Sequence, residues 1–123
     1  MREPKLYLKD ILEAMKSIDE FIKEMDFDSF QHNDLVTSAV IRKLEIIGEA
    51  VKNIPNTLKQ SNPTVPWKIM GGMRDRLIHV YFGIKYELVW NTIKDDIPKV
   101  KPEIEKIYND LISNKAQKSQ DQV

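Results

Sequence analysis

One stretch of the chain, Met73-Arg74-Asp75-Arg76-Leu77-Ile78-His79-Val80-Tyr81-Phe82-Gly83-Ile84, carries side chains whose types and spacing suit anion binding and proton transfer. Arg74 offers a permanent cation with a planar fork of donors matched to phosphate. His79 can move a proton near neutral pH. Tyr81 can donate a hydrogen bond or act as a nucleophile, and Asp75, one helical turn before His79, could orient the imidazole. A lone helical histidine is more often structural than catalytic; the company of Arg74, Asp75 and Tyr81 changes that reading.

A helix turning about 100° per residue places Met73, Leu77, Val80 and Ile84 on one core-facing stripe. Arg74, Ile78 and Tyr81 form a second row, and Asp75 with His79 a third. The same geometry sets a limit, because Arg74 and His79 are roughly 140° apart around an unbroken helix. They converge if the helix is distorted near Gly71-Gly72, if the long Arg74 side chain reaches round, or if a second copy of the chain supplies a facing set. For a short chain the third is the natural solution.

Metal chemistry has little to build on. The chain holds two histidines, His32 and His79, and no Cys, so a site with three protein ligands lacks donors and none is expected. Glu45 and Glu49, one turn apart, read as a solvated helix edge before they read as paired catalytic carboxylates. Phosphodiester cleavage without metal remains open, since RNA carries its own nucleophile in the ribose 2′-OH. An enzyme then needs only to position it, move protons and stabilise charge on phosphorus. No cofactor is implied.

These residues need a scaffold, and the rest of the sequence supplies a helical one. At 123 residues the chain is one domain by length, able to bury roughly two-thirds of its unfolded surface without disulfides. Lys plus Arg equals Asp plus Glu at 19 each, so bulk charge attracts neither nucleic acid nor an acidic membrane, and any polyanion must be met locally. No apolar run approaches the roughly 20 residues of a membrane span, and the start lacks the apolar segment of a secretory signal. A soluble cytoplasmic protein is expected. With four Gly and six Pro punctuating apolar-periodic segments, the expected class is all-α.

Leu8, Ile11, Leu12, Met15, Ile18, Phe21, Ile22 and Met25 recur at threes and fours and predict a helix from Lys5 to about Met25. A turn with capping side chains at Asp26-Phe27-Asp28-Ser29-Phe30 leads to a second helix from about Asn33 to Asn53. Its inward stripe is read as Leu35, Val36, Ala39, Val40, Leu44, Ile47 and Val51, with Gly48 allowing a close crossing. Pro55 ends or kinks it. Pro66 suits the first turn of a segment anchored by Trp67, Ile69 and Met70, and Gly71-Gly72 permits a bend or close approach. A last pair of helices is expected over about Tyr86 to Asp95 and Pro98 to Asn114. The polar residues 115–123, which lack apolar anchors, read as a disordered tail after a domain spanning residues 1–114.

Arg74-x-x-x-x-His79-x-Tyr81 matches the Arg-x-x-x-x-His-x-Tyr motif of HepT-like toxins in the HEPN superfamily, and the flanks resemble that family as well. They include Ile46-Ile47-Gly48-Glu49-Ala50, Pro66 through Arg74, and His79-Val80-Tyr81-Phe82-Gly83-Ile84. The similarity covers roughly residues 5–114. It implies a compact up-and-down bundle of about five helices that dimerises through the motif face, so that two motifs share one cleft. It also implies a metal-independent endoribonuclease toxin, with Arg74 and His79 catalytic. A cognate nucleotidyltransferase antitoxin, using ATP as co-substrate, would neutralise it by adenylylation (AMPylation) of Tyr81. Lys85 stands where the family has an acidic residue capping the next helix, and Asp75 where a neutral amide is common. The first bears on where that helix starts, the second on local attraction for RNA. The competing function is a non-catalytic helical subunit that binds nucleotide or presents substrate to a nucleotidyltransferase. A third reading makes Arg74, Asp75 and His79 a polar network at a dimer interface.

Overall fold

The structure, a computed structural model, describes residues 2–73 and 85–121. Among the described residues the chain is helical with no strand: α1 Pro4–Phe21, α2 Phe27–Gln31, α3 Asp34–Lys52, α4 Asn56–Ser61, α5 Trp67–Gly71, α6 Tyr86–Asn91, a π-helical turn Thr92–Asp96, and α7 Ile97–Asp121. The all-α class read from periodicity is the class observed.

α1 starts with Pro4 at its first position, where a missing N–H costs nothing. It ends four residues earlier than the apolar period alone suggests. Ile22 is its C-cap, and Glu24 takes a left-handed φ of 67°, which turns the chain toward α2. The cap at Asp26 is reciprocal: its carboxylate accepts from the Ser29 N–H at 2.8 Å, and the Ser29 hydroxyl accepts from the Asp26 N–H at 3.1 Å. The Ser29 backbone N–H, then its side chain, hold the Asp26 carboxyl below its ordinary pKa. The cap's stabilisation is therefore present above the unfolded carboxyl pKa and is lost as pH falls through the lower folded one.

α3 is bounded by Asn33, whose side chain accepts from the Val36 N–H, and by Asn53 as C-cap, within one residue of the expected ends. Its buried stripe is Thr37, Val40, Leu44, Ile47, Gly48, Ala50 and Val51. Leu35, expected inside, is 80% exposed. Nine residues before Leu44, it lies about 180° round the helix, whereas Thr37 lies within about 20° of Leu44 and is buried in its place. The Thr37 hydroxyl is satisfied by the Asp34 carbonyl at 3.1 Å, so its burial leaves no orphaned polar atom.

The core joins Leu8, Ile11, Met15 and Ile18 of α1 to α3 and to Ile104 and Ile107 of α7. Phe30 of α2 is fully buried and tilts against Trp90 of α6 at 5.1 Å between ring centroids, which ties the first connection to the later helices. Lys101 of α7 reaches Asp19 of α1 at 3.7 Å.

The expected break between the last two helices is absent. α6, the π turn and α7 run on without a loop. The Ile97 N–H donates to the Thr92 carbonyl, the wide i→i+5 closure of a π turn. Pro98 follows at once. It has no N–H for the Lys94 carbonyl, and its ring would crowd that carbonyl in a regular helix. The π turn absorbs the mismatch, so Pro98 sits within one helical run where the sequence predicts a break, and Pro102 lies inside the helix as expected. No helix among the described residues is long and apolar enough to cross a membrane.

Candidate active site

Arg74, Asp75, His79 and Tyr81, the residues the sequence singles out, lie outside the described residues, as does Gly83. What the structure places is the pair of supports on either side of residues 74–84.

On the upstream side the support is α5. Trp67 and Met70, three residues apart and about 60° apart on a helix, are both buried, and Val65 is buried beside them. The Trp67 indole N–H donates to the Asn62 carbonyl at 3.0 Å, closing the proline-rich connection onto the helix. Ile69, expected as a third anchor, is 60% exposed, because it points about 200° from Trp67 on a helix of a single turn and a half. α5 ends at Gly71, with Gly72 as its C-cap at φ −81°. The conformational freedom of these glycines is thus not used for a left-handed turn. At Gly71 a Cβ would lie 3.6 Å from both Val51 Cγ1 and Lys52 Cγ of α3, an ordinary contact that a side chain could make. A Cβ on Gly72 would lie 3.3 Å from the Lys68 carbonyl oxygen.

On the downstream side the support is α6. Its N-cap is Lys85, with no side-chain hydrogen bond to the first turn. The helix starts there regardless, because the Lys85 carbonyl accepts from Leu88 at 3.0 Å and from Val89 at 3.4 Å, and Val89 is buried in the core. Tertiary packing replaces the missing acidic cap.

The other expectations concerning chemistry are placed as follows. His32 is exposed at the end of α2, its Nδ1 2.9 Å from the Asp28 carbonyl oxygen, a local cap. Glu45, half-buried on α3, pairs with Arg42 at 3.4 Å, and Glu49 is exposed one turn on. Among the described residues no group of three or more His, Cys, Asp or Glu is placed to hold a metal ion.

The chain meets residues 74–84 at Gly72 and Met73, and an open groove lies at each. At Met73, a groove of about 520 Å³ is lined by Ile47, Met70, Met73 and Ile97, with Asp96, Lys99 and Glu103 supplying charges of both signs. At Gly72, a groove of about 400 Å³ is lined by Lys52, Lys59 and Lys68. Sequence reading did not single out these three lysines. They come from three different helices, and no run or period in the chain brings them together.

Comparison with known proteins decides the family. The profile of the family described as "Ribonuclease HepT-like" matches residues 11–107. The chain is 50% identical over 106 residues to a Thermococcus cleftensis protein named "Probable ribonuclease HepT", covering 86% of this chain and 96% of that one. It is also 50% identical over 110 residues to a Methanocaldococcus jannaschii protein named as a candidate RNase, covering 89% and 95%. A second protein of that organism with the same kind of name is 48% identical over 110 residues, covering 89% and 91%. The chain belongs to the HepT-like ribonuclease family. No solved structure matches it at comparable significance. Membership makes it an enzyme of the ribonuclease class and makes RNA its substrate class. The matched span contains α3, α5 and α6 whole, and with them both supports of the motif and the motif itself.

Proposed function

We propose that this HepT-like protein is a metal-independent endoribonuclease toxin whose catalytic pair is Arg74 and His79, working across a cleft shared by two copies of the chain. The observation that carries the reading is the motif Arg74-x-x-x-x-His79-x-Tyr81 in a chain of ribonuclease family. The ribose 2′-oxygen forms the new bond to phosphorus and the P–O5′ bond breaks. His79 handles the proton that leaves the 2′-hydroxyl or reaches the departing 5′-oxygen, and Arg74 neutralises the charge that grows on the phosphoryl oxygens. Asp75 supports the imidazole. The neutralising partner is a nucleotidyltransferase antitoxin: the Tyr81 hydroxyl attacks the α-phosphorus of ATP, pyrophosphate leaves, and adenylate remains on the tyrosine.

The test is cleavage of a defined single-stranded RNA by purified protein in excess chelator. Cleavage persists, and the products carry 2′,3′-cyclic phosphate and 5′-hydroxyl ends by mass spectrometry. Activity that returns only with a divalent ion contradicts the mechanism. Nucleotide binding with no cleavage under any condition favours the non-catalytic subunit instead.

Dimerisation is the second expectation. It rests on the angular separation of Arg74 and His79 on a regular helix, and on the exposed Ile69 and half-buried Met73 that line one groove. Light scattering of the unmodified protein gives at least twice the 14.4 kDa chain mass. A stable monomer that cleaves RNA at the same rate would remove the shared cleft.

A further inference from the structure

The groove at Gly72 is a local answer to a chain with no bulk positive charge. Lys52 closes α3, Lys59 lies in α4 and Lys68 in α5, and Val51, Trp67 and Gly71 complete the lining. Among the described residues no carboxylate lines it; Glu49, the next acidic residue on α3, is outside. None of the three lysines is in an ion pair among the described residues. Lys52 and Lys68 are exposed and Lys59 half-buried, so the ammonium groups stay solvated while their stems line the groove. The neighbouring groove at Met73 differs, since Asp96 and Glu103 would repel an anion there.

Three like charges around one concavity repel one another unless an anion lies between them. The wall that holds them is packed. Trp67 is buried with its indole N–H already bonded to Asn62, and Gly71 beside it is buried as well. Lysines act as mobile point charges and lack the planar fork that reads a base edge. They therefore suit sequence-independent contact with a phosphate backbone. Gly72 precedes Arg74 by two residues, so the groove opens where the chain enters the catalytic motif.

We propose that Lys52, Lys59 and Lys68 form a subsite for the backbone phosphates of single-stranded RNA, holding nucleotides that flank the bond to be cut. This rests on the ribonuclease reading for the identity of the polyanion. The groove supplies affinity and register without base specificity, and Arg74 and His79 supply the chemistry.

The experiment measures binding of the full-length protein to a fluorescent 2′-O-methyl oligonucleotide, which lacks the 2′-OH nucleophile, by anisotropy over a series of KCl concentrations. Each single-strand phosphate contact contributes about 0.7 to the slope of log affinity against log salt. The triple variant K52Q/K59Q/K68Q is expected to lose about 2 from that slope, equivalent to roughly 100-fold weaker binding near 0.1 M salt. Its KM for a cleavable RNA rises in step. K9Q/K16Q/K23Q, which removes the same charge from α1 and the turn after it, keeps the parental slope. K68E alone shows the same direction if the triple variant melts early.

A parental slope and KM in the groove variants, with cleavage intact, overturns the subsite and leaves the ribonuclease reading standing. An equal loss in the α1 variant reduces the effect to net charge and overturns it as well. A lost slope in a parent protein that never cleaves RNA keeps the subsite and sinks the catalytic reading. No RNA binding by the parent sinks both.

Discussion

His79→Ala lowers the single-turnover rate of RNA cleavage by about 10²- to 10⁴-fold, the range that a positioned general acid or base supplies. Binding of a 2′-O-methyl RNA changes far less than the rate, because the proton transfer that His79 supplies belongs to the chemical step. Arg74→Ala divides differently. It removes the cation that meets charge in the transition state, about 3 kcal/mol by analogy with the loss of one oxyanion donor, or roughly 10²-fold in rate. It also weakens RNA binding, since a guanidinium meets phosphate in the ground state as well. The pair of measurements separates the two roles: a rate loss far larger than any binding loss for His79, and both losses for Arg74. A His79→Ala protein that is folded by circular dichroism and cleaves at the parental rate would refute the assignment.

The parts of the fold that were legible in the sequence are those set by local rules. Asn33 and Asn53 bound α3 because side-chain caps and helix ends are local, and the stripes of α1 and α7 follow from a period repeated over several turns. Errors entered where a stripe was extended beyond its phase. Leu35 and Ile69 were counted inward by their apolar character, although each points away from its nearest core residues; Thr37 was passed over for its hydroxyl, which the helix itself satisfies. Pro98 misled for another reason. Proline forbids one particular hydrogen bond, and a π turn that shifts the pairing by one residue removes the conflict without ending the helix.

The site divides in the same way. Arg74, His79 and Tyr81 form a linear pattern, and a linear pattern is visible in a single sequence together with its flanks. Lys52, Lys59 and Lys68 are separated by seven and nine residues across two helix breaks. Their meeting is created by α3, α4 and α5 packing together, and only the folded chain displays it. The absent acidic cap at Lys85 is the converse case: a local rule pointed to trouble at the start of α6, and burial of Val89 against the core settled it.

Tyr81→Phe retains cleavage but escapes inhibition by the nucleotidyltransferase. Tyr81 follows Arg74 by seven residues, about two turns on nearly the same row of a regular helix, so a group on its hydroxyl would lie over the guanidinium that otherwise holds RNA phosphate. An adenylate adds bulk and negative charge there, and its phosphate can pair with Arg74 directly. Inhibition then needs no change of fold: the modification supplies in cis the anion that RNA would bring. The measurement is incubation with ATP, magnesium and the partner, peptide mapping of the adenylate, and cleavage assays before and after. Parent protein gains adenylate on Tyr81 and loses cleavage; Tyr81→Phe gains none and keeps it. The lysine groove adds a further expectation. RNA affinity of the modified protein falls, while the part of the salt slope owed to Lys52, Lys59 and Lys68 survives, because the adenylate competes with the phosphate at Arg74 and leaves the flanking contacts in place. If the partner silences Tyr81→Phe as completely as the parent without modifying it, inhibition works by occlusion and the role assigned to the Tyr81 hydroxyl is wrong.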